Sequence, residues 1–270
     1  MFKNSNIETC NFTSALFNKC RFELTSFIHC DFTDSIIENA TFSETNINNS
    51  LMVNVNFFKS EWFGIRYESC NLTNTKMNEC NLNDTHFIDC KLYQSNFQGS
   101  TLSDIVFYNP ENNVSNLSYS NFTNTTLSNV SFYNYLLNNC DFRGCIIERI
   151  FTSGRVENAR TDFTLSNFNG VKLIEEIIKN AIFNKCLFNN ASLSSKFDTI
   201  DFTEADFTSC DFTGSTFVSC DFTGSIFTGA IFTNVSFVRC VFTNAIFKNN
   251  RFSNISLELC VDFPEELNVS

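Results

Sequence analysis

The chain repeats itself every five residues. From 210 to 234 it reads CDFTG, STFVS, CDFTG, SIFTG and AIFTN, with a small residue first and an apolar residue third in each unit. Taking the third residue as the centre of a unit, every centre from Ile7 to Phe107 is apolar, with Trp62, Met77 and Leu92 among many Phe. The frame holds again from Leu117 to Ile147 and from Phe197 to Leu257. Thirty of the 34 Phe sit at centres, counting Phe2 and the centres of a stretch shifted by one residue at 163–193; Phe58, Phe63, Phe151 and Phe263 do not. All 13 Cys sit two residues before a centre, in a slot otherwise held mostly by Ala, Ser, Thr, Val or Ile.

Two inward residues spaced by two, then a gap of three, fit neither a helix period of 3.6 nor steady strand alternation. Spacing of two is a strand's in, out, in, and the extra residue lets the chain turn a corner. Four corners closing one square turn would stack successive coils at roughly 4.8 Å and align residues about twenty apart. The expected core therefore has Phe12 beneath Phe32, a column of Phe202, Phe222 and Phe242, and a column of Phe212 and Phe232. Cys10 with Cys30, and Cys220 with Cys240, stack in the small slot. Free Cys behaves as a small buried hydrophobe, so packing explains these residues without disulfides or metal.

The pattern of Ala, Cys or Ser, then Asp or Asn, then Leu or Phe, then two free positions resembles the pentapeptide-repeat proteins. That resemblance implies an all-β chain wound as a right-handed quadrilateral β-helix, with centre side chains stacked inside. In the Qnr-type quinolone-resistance branch of that family it further implies a rod that mimics DNA and binds DNA gyrase and topoisomerase IV, with loops contributing and a C-terminal helix pairing two rods.

The frame breaks in two places. It slips by one residue between Ile147 and Phe163 and slips back between Leu193 and Phe197. In between, VKLIEEIIKN at 171–180 places Val171, Leu173, Ile174, Ile177 and Ile178 on one helical face, and a pentapeptide reading would bury Glu176. The spacing predicts a short helix over 171–180. Two β-helical segments in tandem are expected, 1–147 and 181–257, joined by an irregular stretch at 148–180 and followed by a tail or cap at 258–270. The second break is YNPENNVSN at 108–116, where Pro110 takes the small slot and Asn112 a centre. It reads as a projecting loop. The tail DFPEELNVS has a Pro before Glu-Glu at a candidate helix start, yet is short for a dimerising helix, so a homodimer is not indicated.

The net charge is −11. Residues 1–147 carry 14 acidic and 8 basic side chains, 148–196 carry 5 and 7, and 197–270 carry 10 and 3, so two acidic blocks flank a mildly basic one. Such a chain is not expected to bind nucleic acid or an anionic membrane directly. There is no apolar run long enough to span a bilayer and no apolar leader at the start, which points to the cytoplasm.

His29 and His86 are the only imidazoles and lie in no recognisable nucleophile or metal motif, so no catalytic residue, metal or cofactor is expected. The acidic cluster is the most distinctive surface: Asp201, Asp206 and Asp211 precede centres on successive faces, Asp221 stacks over Asp201, and Glu204 adds to them. These, with the loop residues Asn109, Pro110, Glu111, Asn112 and Asn113, are the candidate contacts to a protein partner. The expected function is a non-enzymatic acidic rod acting as a DNA mimic on a type II topoisomerase; the alternative is a structural or scaffolding rod with an unrelated partner.

Overall fold

The computed structural model describes residues 1–110, 116–133, 135–152 and 161–264. They form a parallel β-solenoid of about 12 turns, with no helix among them. Each coil has four faces, and the centres form four inward columns. Beginning at the N-terminus, the first face carries Phe2, Phe22 and Phe42, the second Ile7, Phe27 and Ile47, the third Phe12, Phe32 and Met52, and the fourth Phe17, Ile37 and Phe57. Stacked positions lie 20 residues apart in an ordinary coil, 25 apart across the coil that holds 111–115 and 26 apart across the coil that holds 153–160.

Corners are made by a left-handed residue two positions after the centre. Asn, Asp, Ser, Lys, Glu or Gly occupies most of these sites, with φ near +50 to +70°. In the tightest corners the N–H three residues after the centre bonds back to the centre's carbonyl, as Ala15 N to Phe12 O at 3.0 Å around Ser14. That geometry is a type II turn, which tolerates Asn and favours Gly at this position. Asn gains further from stacking: Asn74 Nδ2 donates to Asn54 Oδ1 at 2.7 Å, and Asn54 Nδ2 donates to Asp34 Oδ1 at 2.9 Å.

The core is aromatic and stacked. The Phe202 and Phe222 centroids are 5.2 Å apart at an interplanar angle of 7°, and Phe222 and Phe242 are 5.2 Å apart at 8°. Phe12 and Phe32 lie 4.9 Å apart, Phe212 and Phe232 5.0 Å. Rings on neighbouring faces meet edge to face, as Phe202 and Phe207 at 5.3 Å and 74°. Offset stacks and T-shaped pairs are the two arrangements that the ring quadrupole favours. Cys30, Cys220 and Cys240 are buried and Cys10 at the first coil is partly buried, all as free thiols.

The small slot also supplies hydrogen-bond donors. Cys186 Sγ donates to Phe163 O at 2.9 Å, Ser225 Oγ to Phe202 O at 2.7 Å and Ser60 Oγ to Ile37 O at 2.8 Å, each tying a coil to the one before it. Burial pushes the thiols of Cys80, Cys140 and Cys145 from an ordinary 9.0 up to about 12. The unfolded chain ionises such thiols near pH 9 while the fold keeps them protonated. Their stabilising share is therefore whole below about pH 9 and is lost as pH climbs toward 12, by up to about 1.4 kcal/mol per thiol per pH unit. Urea midpoints measured across this range should fall less steeply in a Cys80→Ala, Cys140→Ala, Cys145→Ala variant than in the parent. Equal slopes would show that these thiols are not held protonated.

The expected helix over 171–180 does not form. Lys172–Lys179 is a strand. Leu173 pairs with Ile147 on one side and with Leu193 on the other. Val171, Leu173 and Ile178, three of the residues that outline a helical face, are also the inward residues of two successive pentapeptide units, and the ladder on both sides decides between the two readings. The register recovers at a bulge between Ile174 and Ile177, opposite a unit of only four residues. Within that unit Leu193, Ser195 and Phe197 all point inward and no residue from 194 to 198 has positive φ, so the corner residue is simply missing.

The described residues of 148–180 take part in the same ladder and stack as the coils on either side. Thr161–Asp162 pairs with Ala181–Ile182, and Phe142 stacks on Phe168 and Phe163 on Phe183, both at 4.7 Å. The second face keeps a Thr in the core at this level: Thr152 is buried and its hydroxyl donates to Lys179 O at 2.7 Å. At the C-terminal end Phe263 leans across the mouth of the core, 5.1 Å from Phe242 and 5.2 Å from Phe247, which explains a Phe outside the repeat frame. Residues 265–270, the candidate helix start included, lie outside the described residues.

Candidate functional site: a spiral of fixed carboxylates

The acidic cluster is built by the repeat itself. In each DFT unit the Asp before the centre points outward and turns back on its own strand. Asp201 Oδ1 accepts the Thr203 N–H at 2.9 Å and the Thr203 hydroxyl at 2.5 Å. Asp206 is held the same way by Thr208, Asp211 by Thr213 and Asp221 by Thr223, each at 2.9 Å and 2.6 Å. One oxygen of every carboxylate is thus fixed. The Oδ2 atoms of Asp201, Asp211 and Asp221 accept no hydrogen bond among the described residues, whereas Asp206 Oδ2 accepts Asn189 Nδ2 at 3.0 Å.

Burial raises the Asp206 pKa, but the Thr208 hydroxyl, the Asn189 amide and the Thr208 N–H together outweigh it, so its carboxyl sits below the ordinary 3.8. Asp206 is therefore charged at neutral pH. Glu204 stands exposed at the corner between Asp201 and Asp206, 3.6 Å from Lys185 Nζ.

The placement of these groups is a spiral. Asp201 is on the third face, Asp206 on the fourth and Asp211 on the first, and Asp221 returns to the third face directly over Asp201. Along the axis the next residue over three of these acids is aliphatic: Ile226 over Asp206, Ile231 over Asp211 and Val241 over Asp221. Between the second and third faces Thr199, Ile200, Asp201, Ser219 and Asp221 line an open depression of about 190 Å³. That is below the usual size of a cofactor pocket. Among the described residues no three His, Cys, Asp or Glu side chains are placed to hold a metal ion.

The loop contributes differently from expectation. Asn109 is buried, and its N–H donates to Tyr133 O at 3.1 Å, so its side chain is not a surface contact. Its backbone continues the ladder to the next coil. Pro110 is exposed. Glu111, Asn112 and Asn113 lie outside the described residues. Asp-Phe-Thr recurs at 201, 206, 211 and 221, yet the sequence does not by itself reveal the Thr clamps, because outward Thr is also an ordinary strand residue.

Models of the pentapeptide repeats match residues 5–43, 115–149, 200–237 and 225–261, and a model of a pentapeptide repeat region matches 60–118. Together they cover more than half of the chain. This chain belongs to the pentapeptide-repeat family. Among solved structures it is similar to HetL, a pentapeptide repeat protein involved in heterocyst differentiation regulation in the cyanobacterium Nostoc sp. strain PCC 7120, at 14% identity over 93% of this chain and 86% of that one, with a TM-score of 0.27. It is also similar to full-length QnrB1, a plasmid-mediated fluoroquinolone resistance protein, at 14% identity over 95% and 92% of the two chains, with a TM-score of 0.20. No curated protein matches the sequence.

Proposed function

We propose that this pentapeptide-repeat chain is a non-enzymatic binding rod whose acidic half occupies a basic protein groove that otherwise holds duplex DNA, as in the type II topoisomerases DNA gyrase and topoisomerase IV. The observation that carries the reading is the spiral of Asp201, Asp206, Asp211 and Asp221. Duplex phosphates also wind around a narrow rod at fixed positions. Carboxylates already oriented by Thr clamps lose little conformational freedom when a cationic groove closes on them, and complementary potentials speed the encounter. The alternative, a scaffolding rod with an unrelated partner, is favoured by the apolar strip on the second face described below.

The test is binding of the full chain to purified DNA gyrase at low salt, together with supercoiling assays. Wild type should bind and inhibit, more weakly as salt rises. Reversal of Asp201, Asp206, Asp211 and Asp221 to Lys should abolish the interaction. The four Thr→Val changes at 203, 208, 213 and 223, which keep every charge and the backbone N–H bond but remove the hydroxyl from each clamp, should weaken it severalfold. Absence of wild-type binding, or binding untouched by the charge reversal, would overturn the proposal.

A further inference from the structure

The second face changes character along the rod. Among the described residues its outward positions read His86, Ile88, Val106, Tyr108, Ser131, Tyr133, Phe151, Ile177, Lys179, Lys196 and Asp198 over six successive coils, held in register by Val106↔His86, Val106↔Ser131, Tyr108↔Tyr133, Ser131↔Phe151 and Ile177↔Lys196. Phe151 is 41% exposed and Ile177 55%. Among the described side chains no carboxylate occupies an outward position of this face from Ile88 to Lys196, in a chain of net charge −11. At one end the strip meets exposed Arg149, Lys179 and Lys196, none of which forms an ion pair among the described residues. Asp198 closes it beyond Lys179.

A strip one strand wide and about 24 Å long from Ile88 to Lys196, apolar as far as Ile177 and with unpaired cations toward one end only, is matched by a protein segment of complementary pattern. We infer that this face docks an amphipathic protein segment that sets an apolar ridge against Tyr108, Tyr133, Phe151 and Ile177 and places carboxylates against Arg149, Lys179 and Lys196. A helix of about 16 residues spans the same length. An anionic bilayer fits poorly. Asp84 and Asp104 flank the strip on the adjoining corner, and the surface as a whole repels it. Buried aromatic anchors ringed by polar groups are the usual energetic centre of such contacts.

The probe is a fluorescein-labelled helical peptide of about 16 residues, matched to the strip, with Leu and Phe on one face and Glu toward one end. Its anisotropy is titrated with the full chain. Wild type should bind it at least tenfold more tightly than the same peptide with Lys for Glu. Phe151→Glu with Ile177→Glu should reduce binding at least tenfold, and Lys179→Glu with Lys196→Glu should invert the peptide preference. Leu16→Glu, at an exposed Leu on the fourth face, is the control and should change nothing. Reversal of Asp201, Asp206, Asp211 and Asp221 should leave this binding intact, which separates it from the topoisomerase reading. Equal binding of the two peptides, insensitivity to the Phe151 and Ile177 changes, or binding only to phosphatidylglycerol vesicles would overturn the inference.

Discussion

Replacing Phe222 by Ala is expected to destabilise the coils around it by about 3–5 kcal/mol. Phe222 is fully buried and its ring meets six others: Phe202 below, Phe242 above, and Phe207, Phe217, Phe227 and Phe237 at its sides. The cavity lies between stacked rings fixed by the ladder on both sides, so collapse cannot fill it. Because each coil of a solenoid rests on its neighbours alone, the loss should be local. Native-state hydrogen exchange should show protection falling for amides near 197–247 and unchanged for those before 150. Phe2→Ala, at the half-open first coil, should cost well under half as much. A uniform loss along the whole chain, or a cost below about 1 kcal/mol at Phe222, would mean that this column is not the packed unit described.

The second large effect separates two buried tyrosines. Tyr135 occupies a small slot and reaches back past the coil holding 111–115. Its hydroxyl donates toward Phe87 O at 3.3 Å and Cys90 O at 3.2 Å and accepts the Cys90 N–H at 3.4 Å. Tyr67 is equally buried, yet its hydroxyl has no hydrogen-bond partner among the described residues. Removing a satisfied hydroxyl that serves buried backbone groups costs about 1–3 kcal/mol, whereas removing an unsatisfied one is neutral or stabilising. Tyr135→Phe should therefore lower the urea midpoint and Tyr67→Phe leave it unchanged or raise it. Tyr135→Ala should cost about 3–5 kcal/mol, since it also removes the ring that packs on Phe107 at 5.7 Å. The reverse order for the two Phe variants would contradict the hydrogen-bond assignment.

The repeat was legible because its signal is redundant: stacking distances and burial follow the five-residue frame from Phe12 to Phe242 wherever it is unbroken. The stretch 171–180 misled because i, i+3, i+4, i+7 spacing and two consecutive pentapeptides place the same apolar residues at 171, 173 and 178. Local pattern alone cannot choose between them. The choice is made by Ile147 and Leu193, which offer unpaired backbone on either side and lie far away in sequence. The missing corner residue between Leu193 and Phe197 was visible as a four-residue spacing, but only the bulge at Ile174 to Ile177 shows how two neighbouring coils absorb it.

The candidate site was legible in its residues and less so in its construction. The spacing of Asp201, Asp206 and Asp211 places them on successive faces, with Asp221 over Asp201, as the ladder shows. The clamps of Thr203, Thr208, Thr213 and Thr223 depend on the Asx geometry that a strand adopts just before a corner, which composition does not reveal. Asn109 misled for a related reason. A polar residue beside Pro reads as loop, while the backbone of the next coil, at Tyr133, draws it into the ladder.

One unbroken aromatic core through the whole rod is the claim on which the rest stands, and a crystal structure tests it most directly. The expected result is Phe142 and Phe168 stacked at about 4.7 Å, Phe202, Phe222 and Phe242 stacked at about 5.2 Å, and Leu173 paired between Ile147 and Leu193. A helix over 171–180 that separates two independent stacks, or those rings facing solvent, would contradict it.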